Sequence, residues 1–400
     1  MLRIDLSDPP VASSETARHL NRRVILHLIR DKQPISRADL ARLSGLQRST
    51  VSLIAEELIE DRWVVEGSTG RLPRGRRPTL LLLNQRRKII CVDIRPKHTY
   101  IGVSDVNGVF SSQESIVTVP DPERAIRQII ARLRPLLKGR TEDPFEGIGI
   151  SVPGRVDYNT QRLIFAPNLK WAAVDLSTPI ERETGLEVAL ENAANACALA
   201  EFWFDRANSM RNFVSVTVAE GIGTGMIADG RLVRGANGMA GELGHFPLQP
   251  DGPLCGCGKK GCWEVLASDQ AAIRYYLESA GRSSRVRQPD LDLKALLSMA
   301  DHGDTLAIKA LDKMASQLAR GVGMIVAAVD PEAILFVGEF TSGWGRFEPR
   351  LKAAVQRQRI STFPVALIPR RDGELTRLRG SVALILYKHF GVSLPRAGAP

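Results

Sequence analysis

Long apolar runs are absent from this 400-residue chain. The longest candidate, Met324 to Val337, is interrupted by Asp330-Pro331-Glu332, whereas a membrane helix needs roughly 20 predominantly apolar residues. The first residues, Met1 to Ser14, carry acids and prolines without the apolar core of a secretory leader, so the expected location is cytoplasmic, with no membrane partner. Cysteine is scarce: there are five, and three of them fall between positions 255 and 262, which is not the distribution of a disulfide framework. Aromatic residues make up only 6%, but 44% apolar and 24% charged residues belong to a globular chain and exclude a fibrous or disordered one. The length implies two or three domains.

Acid is missing from one stretch. Arg71, Arg74, Arg76, Arg77, Arg86, Arg87 and Lys88 follow one another with no Asp or Glu between them. Residues 1–88 hold 17 Lys and Arg against 10 Asp and Glu, and so carry +7 of the formal net charge of +10. Such a run can be a solvated linker, but beside a helical module it marks a phosphate-contacting surface.

The module is expected at residues 17–83, as a winged helix-turn-helix. A first helix, Ala17 to Arg30, has Leu20, Val24 and Leu28 on one stripe, with Ile25 and Ile29 beside it. Ser36 is placed to cap a second helix, Arg37 to Leu43, with Asp39 in its first turn, and Ser44-Gly45 supplies the tight turn before a third. That third helix, Arg48 to Asp61, should bury Val51, Ile54, Leu58 and Ile59. It offers Arg48, Ser49, Thr50 and Ser52 at its N-terminal end, where a recognition helix reaches base edges. Leu53 is out of place there, an apolar residue where a polar or basic one is common. Trp63-Val64-Val65 and Thr79 to Leu83 then flank a polar tip, and Arg74, Arg76 and Arg77 on that wing suit the minor groove and its phosphates. A three-helix protein-interaction domain with a basic tail is the rival.

The densest chemistry lies further on, in Gly241-Glu242-Leu243-Gly244-His245, Cys255-Gly256-Cys257-Gly258 and Gly261-Cys262-Trp263-Glu264. One imidazole and three thiols, His245, Cys255, Cys257 and Cys262, are the donors of a closed tetrahedral zinc site, and the intervening glycines let the loop double back. The alternative is three reduced cysteines beside a surface histidine. Around this run, strands and helices alternate twice: Ile89 to Ile94, Thr99 to Val103, Val109 to Ser115, a helix Pro122 to Leu137 and a strand Gly147 to Val152, then Phe213 to Ala219, Thr224 to Ala228, Arg231 to Val233, helices through 265–325 and a strand Ala333 to Val337. Two similar α/β lobes imply a ligand cleft.

These residues, with Gly221-Ile222-Gly223-Thr224-Gly225, resemble the ROK family of repressors and sugar kinases, and the winged helix resembles its transcriptional branch. The resemblance spans roughly residues 17–395. It implies an actin/hexokinase-like two-lobe body over 84–400, with lobe I at about 88–195 plus 380–400 and lobe II at about 196–379. The last helix, about Gly380 to Phe390, should return to the first lobe. A homodimer or dimer of dimers on a pseudo-palindromic DNA operator is also implied.

Measured against the family's kinases, the phosphate side departs three times. Asp93-Ile94-Arg95-Pro96-Lys97-His98 stands where the family has Asp-Ile-Gly-Gly-Thr-Lys, so both glycines of the phosphate loop are lost. The base position after Glu191-Asn192 is Ala193, which accepts no proton. Val337-Gly338-Glu339 has an acid where ATP-using members carry a second glycine. On the sugar side, the residues matching the family's ligand contacts are Gly154, Arg155, Asn168, Asn192, Glu242, His245 and Glu264, whose amides and carboxylates suit vicinal hydroxyls. Glu242 and Glu264 can alternatively serve as partners that orient His245 on the metal. The expectation is a sugar-responsive, DNA-binding regulator, a repressor with a non-catalytic body. An active sugar kinase with a DNA-binding domain, or a regulator that answers to a protein partner, are the rivals.

Overall fold

The computed structural model describes residues 14–69, 78–138, 145–204, 210–281, 291–358, 364–370 and 372–390. Its chain divides into two compact units. The first comprises residues 1–88, 105–109 and 386–400, and the second comprises 89–104 and 110–385.

In the first unit, α1 (Ser14–Lys32), β1 (Ile35–Ser36), α2 (Arg37–Ser44), α3 (Arg48–Glu60), β2 (Val64–Thr69) and β3 (Thr79–Leu83) follow in that order. Ser36 caps α2 as its position suggests, its Oγ accepting from Asp39 N at 3.1 Å. Gly45 ends the helix in the left-handed conformation, with φ 72°, at no cost to a residue without a Cβ. The strands form an antiparallel sheet ordered β1-β3-β2. β1 has no counterpart in the sequence pattern, because two residues after a proline show no alternation. The core holds Ile25, Leu26, Ile29, Leu40, Val51, Ile54, Ala55, Leu58 and Leu81.

The expected stripe of α1 is therefore out of phase. Leu20 and Val24 are 45% and 37% exposed, and the buried face runs through Ile25, Leu26 and Ile29. Apolar residues lie on more than one side of this helix, and the contact with α2 and α3, invisible to periodicity, selects which side is buried. Ile59, expected in the core, is half-buried.

The second unit holds two five-stranded sheets of the same design. The first contains β4 (Lys88–Ile94), β5 (His98–Asp105), β6 (Phe110–Val117), β7 (Phe145–Val152) and β10 (Val188–Asn192). Its order is β10-β7-β4-β5-β6. Along its chain come α4 (Pro122–Leu137), a small ribbon of β8 (Arg155–Asp157) and β9 (Arg162–Phe165), and α5 (Ser177–Thr184). The second contains β11 (Phe213–Val218), β12 (Ile222–Ala228), β13 (Arg231–Leu232), β14 (Ala333–Val337) and β15 (Ala366–Arg370), ordered β13-β12-β11-β14-β15. Numbered within each sheet, both read 3-2-1-4-5, so the recurrence seen in the sequence is a structural repeat. Helices α7 (Trp263–Ala267), α8 (Asp269–Ser279), α9 (Leu293–Asp301), α10 (Thr305–Val329) and α11 (Trp344–Gln358) complete the second half, with Trp263, Leu318, Val322, Phe336 and Phe347 in its core.

Two helices cross between the halves. α6 (Ala193–Phe204) follows the last strand of the first sheet but lies on the second: a Cβ on Gly225 would fall 2.4 Å from Ala194 O. α12 (Gly373–Phe390) follows the last strand of the second sheet but lies on the first, where Ser381 Oγ donates to Val92 O at 3.0 Å. The two helices meet at Gly380, where a Cβ would fall 2.8 Å from Ala196 C. Among the described residues, no helix is long and apolar enough to cross a membrane.

Candidate ligand cavity and metal centre

The four candidate metal ligands come from three short pieces. Residues Glu242–His245 form a single 3-10 turn, the loop 255–261 folds on itself through Cys255 N donating to Lys259 O at 2.8 Å, and Cys262 is the residue that starts α7. Gly261 has no room for a side chain, since its Cβ would sit 1.6 Å from Gln249 O. One ligand atom from each of His245, Cys255, Cys257 and Cys262 lies within 4.8 Å of all the others. Cys257 Sγ and Cys262 Sγ are 3.7 Å apart, and Cys255 Sγ is 3.5 Å from His245 Nδ1. Sulfurs bound to one tetrahedral metal at about 2.3 Å lie about 3.8 Å apart, so this cluster has the size to hold a metal ion. Burial, reinforced by the Glu264 carboxylate and the neighbouring cysteines, pushes the Cys255 thiol up, a state that a bound cation reverses.

His245 faces two ways. Its Nδ1 meets the thiols, and its Nε2 lies 3.8 Å from Glu242 Oε2. Burial holds the Glu242 carboxyl above its usual range, with His245 opposing and Glu264 reinforcing the shift. Glu264 is buried, and its Oε2 accepts from Ile222 N at 3.2 Å while the Cys255 thiol approaches Oε1 at 3.6 Å. This carboxylate thus ties the cysteine loop to the start of β12.

Gly154, Asn168, Asn192, Ala193, Glu242, His245 and Glu264 all line one cavity of about 100 Å³. Arg155, expected with them, does not, because its guanidinium turns to Asn237 O at 3.2 Å. Asn192 also holds the fold together, which its role as a ligand contact does not reveal: its Oδ1 accepts from Ala194 N at 2.8 Å, capping α6, and its Nδ2 donates to Gly154 O at 2.7 Å.

A second cavity of about 660 Å³ adjoins the first through the shared residues Thr217, Ala219, Glu220 and Arg377. Asp93, fully buried, accepts from Ser151 Oγ at 2.7 Å and from Arg95 Nε at 2.5 Å, and Arg377 Nε lies 3.5 Å away. Arg95 in turn covers the Tyr100 ring at 4.0 Å. Glu220, Asp269, Glu339 and Asp372 line the same space. Burial, then Glu220, Glu339 and Asp292, push the Asp269 carboxyl well up, with Arg377 opposing. Arg377 has no sequence signal. It stands on α12, far along the chain from Asp93.

In the first unit, Arg48 and Ser49 are exposed on α3, while Thr50 and Ser52 are half-buried. Gln47 precedes the helix in an extended conformation without a side-chain cap, and the first turn carries no acid. Arg74, Arg76 and Arg77 lie outside the described residues.

A family model described as the ROK family matches residues 89–388. The xylose repressor of Bacillus subtilis (strain 168) is 30% identical over 336 residues, covering 81% of this chain and 83% of that protein. Among solved structures, a ROK family transcriptional regulator described as a homologue of the E. coli MLC protein has a TM-score of 0.81 at 24% identity, covering 94% of this chain and 98% of that one. A ROK family glucokinase from Streptomyces griseus, solved with glucose and AMPPNP, has a TM-score of 0.66 at 28% identity, covering 74% of this chain and 98% of that one. The paired sheets with exchanged helices are thus the actin/hexokinase-like body of these regulators and kinases, and the chain belongs to the ROK family.

Proposed function

We propose that this chain is a sugar-responsive transcriptional repressor whose kinase-like body binds a sugar without phosphorylating it. The observation that carries the proposal is the contrast inside one body between a gathered sugar side and a dismantled phosphate side. Asn168, Asn192, Glu242, His245 and Glu264 converge on one cavity, with Gly154 beside them. Ala193 faces the same cavity and has no proton acceptor, and Arg95, standing where the kinase loop has a glycine, donates to the Asp93 carboxylate. Four carboxylates, Glu220, Asp269, Glu339 and Asp372, would meet a polyphosphate in the adjoining cavity. The surviving glycines of the β11–β12 hairpin have a packing reason to persist, since Gly223 and Gly225 leave no room for a Cβ beside α6. Arg155 contributes through its charge near Glu242 and not as a wall of the cavity.

The metal in this reading is zinc, held by His245, Cys255, Cys257 and Cys262. A closed shell of protein ligands gives it a structural role, that of fixing the turn which presents Glu242 and the imidazole Nε2 to a sugar.

The DNA half rests on the α1-β1-α2-α3-β2-β3 order, which is that of a winged helix-turn-helix with α3 as recognition helix, and on the name of the Bacillus relative. The backbone N–H groups at the uncapped start of α3 are donors for a phosphate, and Arg48, Ser49, Thr50 and Ser52 lie along its first turns. Arg74, Arg76 and Arg77 are assigned to the minor groove or phosphates, so replacing Arg76 and Arg77 should weaken binding to all sequences and flatten its salt dependence. The partner is a pseudo-palindromic operator bound by a homodimer or dimer of dimers. Sugar and DNA affect each other by one coupling free energy, equal in both directions.

The test is direct. Duplexes bound by the full chain are selected from random sequence, and their affinity is titrated against xylose and a panel of aldoses, beside an ATP-dependent phosphorylation assay. The proposal expects one class of sugar to lower operator affinity with no phosphorylation. Turnover that is abolished by changing Asp93 or Glu242 overturns it, and so does a sugar that binds the cavity yet leaves operator affinity unchanged.

A further inference from the structure

Ser49, Ser52, Leu53 and Glu56 stand at i, i+3, i+4 and i+7 on α3 and share one face of it. Leu53 is 54% exposed, whereas Val51, Ile54 and Leu58 on the opposite face are 0–2% exposed. A single exposed leucine needs no explanation by itself. Its surroundings give it one: on the N-terminal side of Leu53 the face consists of the small hydroxyl side chains Ser49 and Ser52, Arg48 stands at the start of the helix, and the first acid along α3, Glu56, comes only after Leu53 on the same face. Together they make a short polar surface with one branched apolar side chain near its centre, on a module whose residues 1–88 carry +7. That net charge matches a polyanionic duplex.

In the major groove each base edge offers hydrogen-bond donors and acceptors, and only thymine adds an apolar group, its C5-methyl. We propose that Leu53 reads a thymine methyl, with Ser49 and Ser52 meeting polar edges beside it. The inference rests on α3 being the recognition helix. It makes Leu53 a specificity-determining residue, not a surface accident, and extends the set Arg48, Ser49, Thr50 and Ser52 by one residue.

The experiment uses duplexes selected by the full chain. Each thymine of a half-site is replaced in turn by deoxyuridine, which removes only the C5-methyl and leaves every hydrogen-bonding group in place. One position should lose about fourfold in affinity per half-site, the worth of one buried methyl. In Leu53→Ala the same replacement should have no effect, and the variant should bind the thymine duplex about as tightly as the unmodified protein binds the deoxyuridine duplex. Leu53→Val, which retains a branched apolar end, should keep part of the discrimination. Equal affinity for thymine and deoxyuridine at every position overturns the inference while leaving DNA binding intact. Discrimination that persists in Leu53→Ala overturns it equally, and a Leu53→Ala change in subunit assembly with discrimination unaltered assigns the side chain to a protein contact. If no duplex is selected at all, the DNA-binding reading itself falls, and this inference with it.

Discussion

The two cavities of the body share Thr217, Ala219, Glu220 and Arg377 in their walls, yet they differ in how their polar groups are used. Around the smaller one, Asn192, His245 and Glu264 are each held by the fold while lining the cavity. His245 is fixed through Nδ1 and offers Nε2, and Glu264 is fixed through Ile222 N. Around the larger one, the charged groups answer one another: Arg95 and Arg377 turn to Asp93, and carboxylates crowd Asp269. One side gathers amides, carboxylates and an imidazole around its cavity, and on the other the charges are paired or crowded among themselves. The hydrogen bonds that hold Asn192, His245 and Glu264 run to Gly154, Ala194, Cys255 and Ile222, while Pro96 of the Asp93 loop also forms part of the same cavity wall.

The strongest way to break this contrast is at the metal loop. Cys262→Ser removes a ligand at the point where the loop enters α7, and the unmodified chain, prepared without chelator, should carry one zinc that the variant lacks. Sugar binding should fall by two orders of magnitude or more, measured by calorimetry beside elemental analysis. Metal-free unmodified protein that binds sugar normally would separate the two features. Glu242→Ala comes next: losing a charged hydrogen-bonding group costs about 1.5–3 kcal/mol, roughly 10- to 100-fold in sugar affinity, with operator affinity unaltered but no longer sugar-dependent.

Smaller effects belong to the other wall. Because burial and acidic neighbours raise the Asp269 carboxyl in the folded state, the native chain holds that proton more tightly than the unfolded one. The contribution to stability is thus fully present below the unfolded value near 4 and is lost as pH rises toward the folded one. Asp269→Asn should consequently raise the melting temperature at pH 7 by a few degrees and by less at pH 4. Equal shifts at both pH values would refute the electrostatic account. Least of all is expected from Ala193→Asp, which restores a proton acceptor but leaves Arg95 on Asp93 and Pro96 in the loop, so ATP-dependent sugar phosphorylation should stay undetectable. Turnover in that variant would show the phosphate side to be open after all.

Much of this molecule is legible in its sequence. Ser36 and Gly45 bracket α2 because capping is local chemistry, and the His245-Cys255-Cys257-Cys262 cluster is compressed into one loop where spacing is nearly geometry. The doubled strand order is visible as a recurrence, although β15 and α11 do not stand out within it. Contacts made by distant segments are hidden. No local pattern brings Arg377 of α12 to Asp93 of β4, turns Arg155 away toward Asn237, or selects Ile25 over Val24 as the inner side of α1. Asn192 reads first as a ligand contact, whereas its place at the start of a helix, itself a sequence signal, also points to a cap.

The exchange of α6 and α12 has a consequence for how this body can be divided. Each half surrenders its closing helix to the other, in effect a domain swap carried out within a single polypeptide. A fragment ending after α6 would keep the first sheet without Ser381 and the rest of the helix that covers Val92 and Gly149, and the complementary fragment beginning at β11 would lack the Ala194 and Ala198 surface on which Gly225 rests. Each piece would present a bare apolar sheet face to water and aggregate, and the two would regain solubility only when refolded together.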